Sequence, residues 1–132
     1  MTSQLNTLVR LRQYEVDRGR AQLAALAATE HEFSDRLATL TYQIELHRHQ
    51  LASLSQHGRL NIDAIRLRQQ YLQLLGRQQQ DLSAELAAAR EAVEQHRERL
   101  IAADQRLRVA EKLRERALDK AAATQLRQES QF

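Results

Sequence analysis

An all-α fold, a long antiparallel two-helix coiled-coil hairpin, is predicted for this chain by three observations. The 132 residues contain no Pro and only three Gly, and the abundant Ala, Leu, Glu, Gln and Arg are strong helix formers, so nearly continuous helix is permitted. Apolar residues recur at a seven-residue spacing through two long stretches. Between those stretches lies a short segment that carries a helix stop followed by a helix start. Hydrophobic residues make up 42% of the chain but aromatics only 4%, which suits helices that bury one stripe each better than a globular core.

The first helix is expected over about residues 3–56. One of its seams runs Val9, Val16, Leu23, Glu30, Leu37, Ile44, Leu51. The other is Leu5, Arg12, Gly19, Leu26, Phe33, Leu40, His47, Leu54. Such persistence through successive heptads argues for a coiled coil rather than an ordinary surface helix. The turn falls at about residues 57–61. There Gly58 suits the left-handed residue that closes a helix, and Asn61 suits the N-cap of the next. Asp63 then lies in the first turn, favourably placed against the helix dipole. Leu60 and Ile65 fall where a hydrophobic staple would put them.

The second helix is expected over about residues 62–127, which makes residues 1–132 one coiled-coil domain. Its seams are Ile65, Leu72, Gln79, Leu86, Val93, Leu100, Leu107 and Arg68, Leu75, Leu82, Ala89, His96, Ala103, Ala110, Ala117. Folding the helices about a centre between Arg59 and Leu60 pairs residues whose numbers sum to about 119. The layers are Leu54–Ile65, Ile44–Leu75, Leu40–Gln79, Leu37–Leu82, Phe33–Leu86, Leu26–Val93, Leu23–His96, Gly19–Leu100, Val16–Ala103 and Val9–Ala110. Small faces large wherever one helix offers Gly or Ala, which fills layers without voids. Pairing of the helices between molecules is the competing arrangement, and the short loop favours the partner within the chain.

In this register residue 5 meets residue 114, so roughly the last fifteen residues lack a hairpin partner. That segment still carries Ala117, Leu118, Ala121, Ala122 and Leu126. A lone helix of this length is marginal in water, so it is expected to fray or to dock onto something else. The same end is rich in Arg10, Arg12, Arg18, Arg20, Arg106, Arg108, Lys112, Arg114, Arg116 and Lys120, with fewer acids among them. A basic tip with an unpaired apolar stripe suits an acidic protein surface.

Several classes of function are disfavoured. The net charge is only +3 and both signs are interspersed, whereas a nucleic-acid binder gathers a basic excess on one face. No apolar run is long enough to span a membrane. The N-terminal Met1-Thr2-Ser3-Gln4-Leu5 lacks the layout of a signal peptide. The absence of Cys excludes disulfides and permits a reducing cytoplasm. His47 and His49 do not converge on one ion, and His96 in the seam reads as a packing residue, so neither metal nor cofactor is expected. No glycine loop, activated nucleophile or converging carboxylate pair is present, and a two-helix coil offers no concave pocket, so the chain is not expected to be an enzyme.

Two glycines inside the helices each carry a cost near 1 kcal/mol against Ala. Gly19 has a packing reason in Leu100, which fills its gap. Gly76 sits beside the seam without one, and either eases a bend or the close approach of a partner, or reflects drift. Tyr42 and Tyr71 lie off the seams and should project outward, as interface residues do or as ordinary flanking residues.

Leu37-Ala-Thr-Leu-Thr-Tyr-Gln before the turn, Gln69-Gln-Tyr-Leu-Gln-Leu-Leu after it, and then Glu94-Gln-His-Arg and Glu111-Lys-Leu-Arg-Glu-Arg resemble the FliJ family across most of the chain. These are cytoplasmic stalk proteins of bacterial flagellar export, and injectisome stalks of the YscO type have the same form. The resemblance implies a coupling protein like the coiled-coil part of a rotary ATP synthase gamma subunit. Its terminal helices would engage the hexameric export ATPase, and its turn-proximal half would engage the cytoplasmic domain of the export gate, FlhA. It also implies escort of export chaperones, and a cytoplasmic location held peripherally at the inner membrane by the export apparatus.

Carried over residue by residue, the gate patch is Tyr42, Gln43, Tyr71, Leu75 and Leu82. The ATPase contact is assigned to Leu5, Val9, Arg10, Arg12, Arg106, Lys112, Leu113 and Arg116, where the basic apolar tip and the resemblance coincide. Some relatives are longer at the C-terminus, so the ring-engaging end is expected to be short here. The competing readings are a YscO-type stalk, a structural or homodimeric coiled-coil spacer, and a chaperone that holds export substrates by its exposed stripe.

Overall fold

The computed structural model describes residues 2–56 and 61–131. The expected closing residue Gly58 and the staple residue Leu60 lie outside the described residues. The described residues form two helices: α1 spans Thr2–Gln56 and α2 spans Ile62–Ser130. They run antiparallel as a helical hairpin, and no strand occurs among the described residues.

The start of α2 has a local cause. The Ala64 N–H donates to Asn61 Oδ1 at 3.3 Å, and the Ile65 N–H donates to the Asn61 carbonyl at 3.1 Å. Asn61 is therefore the N-cap, satisfying donors that the first turn leaves without an intrahelical partner. Asp63 follows in that turn and Arg127 lies in the last one, each matching the sign that the dipole favours. Along the surfaces, Glu32 accepts from Arg36 at 2.6 Å and Asp104 from Arg108 at 3.1 Å. Pairs of this spacing each add a few tenths of a kcal/mol, roughly 0.2–0.5, to an exposed helix.

The hairpin divides into two compact units, residues 1–25 with 94–132 and residues 26–93. In the first, Val9 and Val16 of α1 pack with Ala103, Leu107 and Ala110 of α2, and Leu8 and Leu100 lie against them. Val16 is the most enclosed, at 1% exposure. In the second, Ile44, Leu75, Leu86 and Val93 are buried. Every one of these buried side chains stands on a seam read from the sequence. Other seam residues, such as Leu23, Leu26, Phe33 and Leu37, are half-buried, because a helix with a single neighbour has cover on one side only. Leu54, in the last layer before the turn, is exposed.

Cross-helix partners fix the register within each unit. In the first, a Cβ at Gly19 would stand 3.2 Å from Leu100 Cδ1, and those numbers add to 119. In the second, Glu30 accepts from Arg90 at 3.5 Å, a pair adding to 120. Gln79 Nε2 donates to Thr41 Oγ1 at 3.2 Å, adding to 120. The His47 and Tyr71 rings meet edge to face with centroids 4.9 Å apart, adding to 118. The polar interruptions of the seams are thus used. Glu30, Arg68 and Gln79 each find a partner on the opposite helix, Arg68 donating to Gln50 and contacting His47 Nδ1 at 3.3 Å.

The two helical glycines differ in what surrounds them. A Cβ at Gly76 would meet nothing within 4 Å, whereas one at Gly19 would press on Leu100. Gly76→Ala is therefore expected to raise stability by about 0.5–1 kcal/mol through helix propensity alone. Gly19→Ala should gain less, since Leu100 must shift by a few tenths of an ångström. Thermal melting followed by circular dichroism compares the two, and an equal or larger gain at Gly19 would contradict this packing.

Candidate protein-docking surfaces

Among the described residues no polar side chain is buried and no group of three His, Asp or Glu gathers as metal ligands would. No helix among them is long and apolar enough to cross a membrane. His47 is turned into the hairpin while His49 is exposed.

The first unit presents an apolar groove. Leu8 of α1 and Ala102, Val109, Ala110 and Leu113 of α2 line it, with Arg12, Gln105 and Arg106 completing its walls. On α2 the residues at 102, 106, 109 and 113 lie on one face because they follow helical spacing. Of the residues assigned to the ATPase contact, Arg10, Arg106, Lys112, Leu113 and Arg116 are exposed, and Leu5 and Arg12 are half-buried. Arg12 is held by Glu15, its Nη1 lying 3.1 Å from both carboxylate oxygens. Arg106 Nε donates to the Ala102 carbonyl at 3.4 Å. Lys112, Arg116 and Lys120 make no ion pair among the described residues, so their charge faces solvent. Val9 is different: it belongs to the buried core of the unit, so its side chain shapes the tip from within and does not reach its surface.

Beyond Ala117, α2 continues to Ser130 with every described side chain exposed, including Leu118 and Leu126. Extension of an existing helix adds one hydrogen bond per residue fixed and escapes the cost of a new nucleus, which accounts for helix here despite so little cover.

In the second unit the five residues assigned to the gate patch separate. Tyr42 is 70% exposed, Gln43 is exposed, and Tyr71 is partly open with its ring against His47. Leu82 is half-buried and Leu75 is only 4% exposed. Leu75 stands on the seam and is buried there, so it offers little surface of its own. The open apolar surface lies beside it, in a groove lined by His47, Leu54, Ala64, Leu67, Arg68 and Tyr71.

Leu67, at 69% exposure, together with Leu8, Val109 and the exposed Leu74, was not singled out by the seams. The signal was present as a second stripe on α2, offset by one position from the stripe that faces α1. It runs through 64, 67, 71 and 74, and again through 102, 109 and 113.

Comparison with known proteins agrees with these features. The chain matches the family described as Flagellar FliJ protein over residues 1–132, its whole length. No curated protein and no solved structure matches it. A proline-free helical hairpin, matched from end to end, leads to one assignment: the chain belongs to the FliJ family, whose members are components of the flagellar export apparatus.

Proposed function

We infer that the chain is a non-enzymatic stalk that couples two partners in flagellar export. Its first unit binds the hexameric export ATPase, and its second unit binds the cytoplasmic domain of the export gate. The chain acts as one domain in the cytoplasm, held peripherally at the inner membrane by those partners. The observation that carries this reading is the apolar groove of the first unit, walled by Arg12 and Arg106 and accompanied by unpaired Lys112 and Arg116. Burial of apolar side chains supplies affinity, and the surrounding cations steer and select an acidic partner surface. In the second unit, exposed Tyr42, Gln43 and Tyr71 supply the kind of side chain that anchors an interface.

Charge reversal tests the first contact. Substituting Arg12, Lys112 and Arg116 together with Glu is expected to weaken binding to the ATPase by about tenfold or more and to abolish stimulation of its turnover. Arg12 also serves Glu15, so the pair Lys112→Glu and Arg116→Glu, which touches no ion pair among the described residues, separates binding from folding. Unchanged pull-down and unchanged stimulation would place the ATPase contact elsewhere.

A further inference from the structure

The second unit carries more apolar surface on α2 than one neighbouring helix can cover. Ala64, Leu67, Tyr71 and Leu74 follow spacings of three, four and three residues, so they form one stripe along the helix. That stripe is distinct from the one through Arg68, Leu72 and Leu75, which faces α1. Leu67, Tyr71 and Leu74 are all exposed. A helix with two apolar stripes is the pattern of a bundle with more than two helices, and a single hairpin has only one helix to offer.

We propose that a second copy of this chain covers the stripe, α2 against α2 in antiparallel alignment, about a two-fold axis at Gln69. A two-fold contact requires one patch to complement itself when reversed. Reversal about Gln69 sets Ala64 against the partner copy's Leu74 and Leu67 against its Tyr71, so the smaller residue meets the larger in each layer. The flanking charges select the same alignment. Asp63 and Arg77 lie fourteen positions apart on one side of the stripe, and neither makes an ion pair among the described residues. The antiparallel pairing brings Asp63 level with residue 75 of the other copy, within roughly 3 Å along the axis of its Arg77, and does so twice. Parallel pairing about a two-fold along the helices would instead carry each Asp63 and its partner copy's Arg77 to opposite flanks of the contact and leave both acid–base pairs unmade. Tyr71 belongs to this contact and to the gate surface, so self-pairing and gate docking exclude one another.

Sedimentation equilibrium of the full chain, taken to about 100 µM, reads the proposal without any export partner, so its failure leaves the coupling function untouched. The weight-average mass should approach twice the 15.3 kDa of one chain. Leu67→Glu, at a position open to solvent, should return it to that of one chain with the helical circular dichroism unchanged. Arg77→Asp should weaken the dimer at least tenfold, and Asp63→Arg added to it should restore pairing. Because the sequence has no Cys, Gln70→Cys beside the axis should give a covalent dimer on oxidation, lost when Leu67→Glu is present. A chain that stays monomeric, a dimer that survives Leu67→Glu, or a double charge swap without rescue would each overturn it.

Discussion

Val16→Asp is expected to unfold the first unit. Val16 is the most enclosed side chain among the described residues and belongs to the cluster formed with Val9, Ala103, Leu107 and Ala110. A carboxylate at that position loses its hydration among uncharged core neighbours, and the nearby Arg12 and Arg108 are already engaged by Glu15 and Asp104. The cost should be about 3–5 kcal/mol, a large share of the stability of a small domain. Val16→Ala, which removes only methyl groups, should cost about 1–2 kcal/mol and keep the helices paired. Circular dichroism at low temperature and on melting measures both, and the proposed ATPase binding should disappear with Val16→Asp because the groove of Leu8 and Leu113 adjoins this core. A variant that melts like the parent would mean that the seam does not hold the helices together.

Leu26→Cys with Val93→Cys should close a disulfide within one chain. The two residues pair in the register read from the sequence, in the unit where Glu30 meets Arg90 and Thr41 meets Gln79. Oxidation under dilute conditions should give a monomer of increased mobility on non-reducing gels. The bond closes a loop of about 70 residues, for which chain-entropy arguments give a stabilisation of about 4 kcal/mol. The melting temperature should therefore rise sharply and fall back on reduction. Covalent dimers in place of closed monomers would show that the helices pair between molecules.

The hairpin was legible because a two-helix coil has few ways to hide its stripe. Heptad spacing placed Val16, Ile44, Leu86 and Val93 on the seams, and each is buried. The N-cap at Asn61 was readable from residue type alone, and its side chain accepts from Ala64 as that type does. The surfaces were harder to read, for two reasons. Leu75, carried over by resemblance, was chosen by likeness, and Val9 was chosen by its place at the basic tip; neither choice weighed exposure, and both are buried in the hairpin. Leu67 and Leu74, in contrast, sit one position away from seam residues, where a search for a single apolar stripe passes over them. Arg90, the partner of Glu30, lies one position beyond its expected layer, a step that a long guanidinium spans and a summation of residue numbers does not reveal.

The scarcity of fully enclosed side chains has a mechanical meaning. A globular domain concentrates its cohesion in one interior and opens as a whole, whereas here each layer is supported chiefly by the layers next to it. Cohesion then accumulates step by step along the sequence, much as in repeat architectures, and opening can begin locally at modest expense. A partner that inserts between the two helices would release the turns it touches and leave distant ones closed, so this hairpin can yield in part without coming undone.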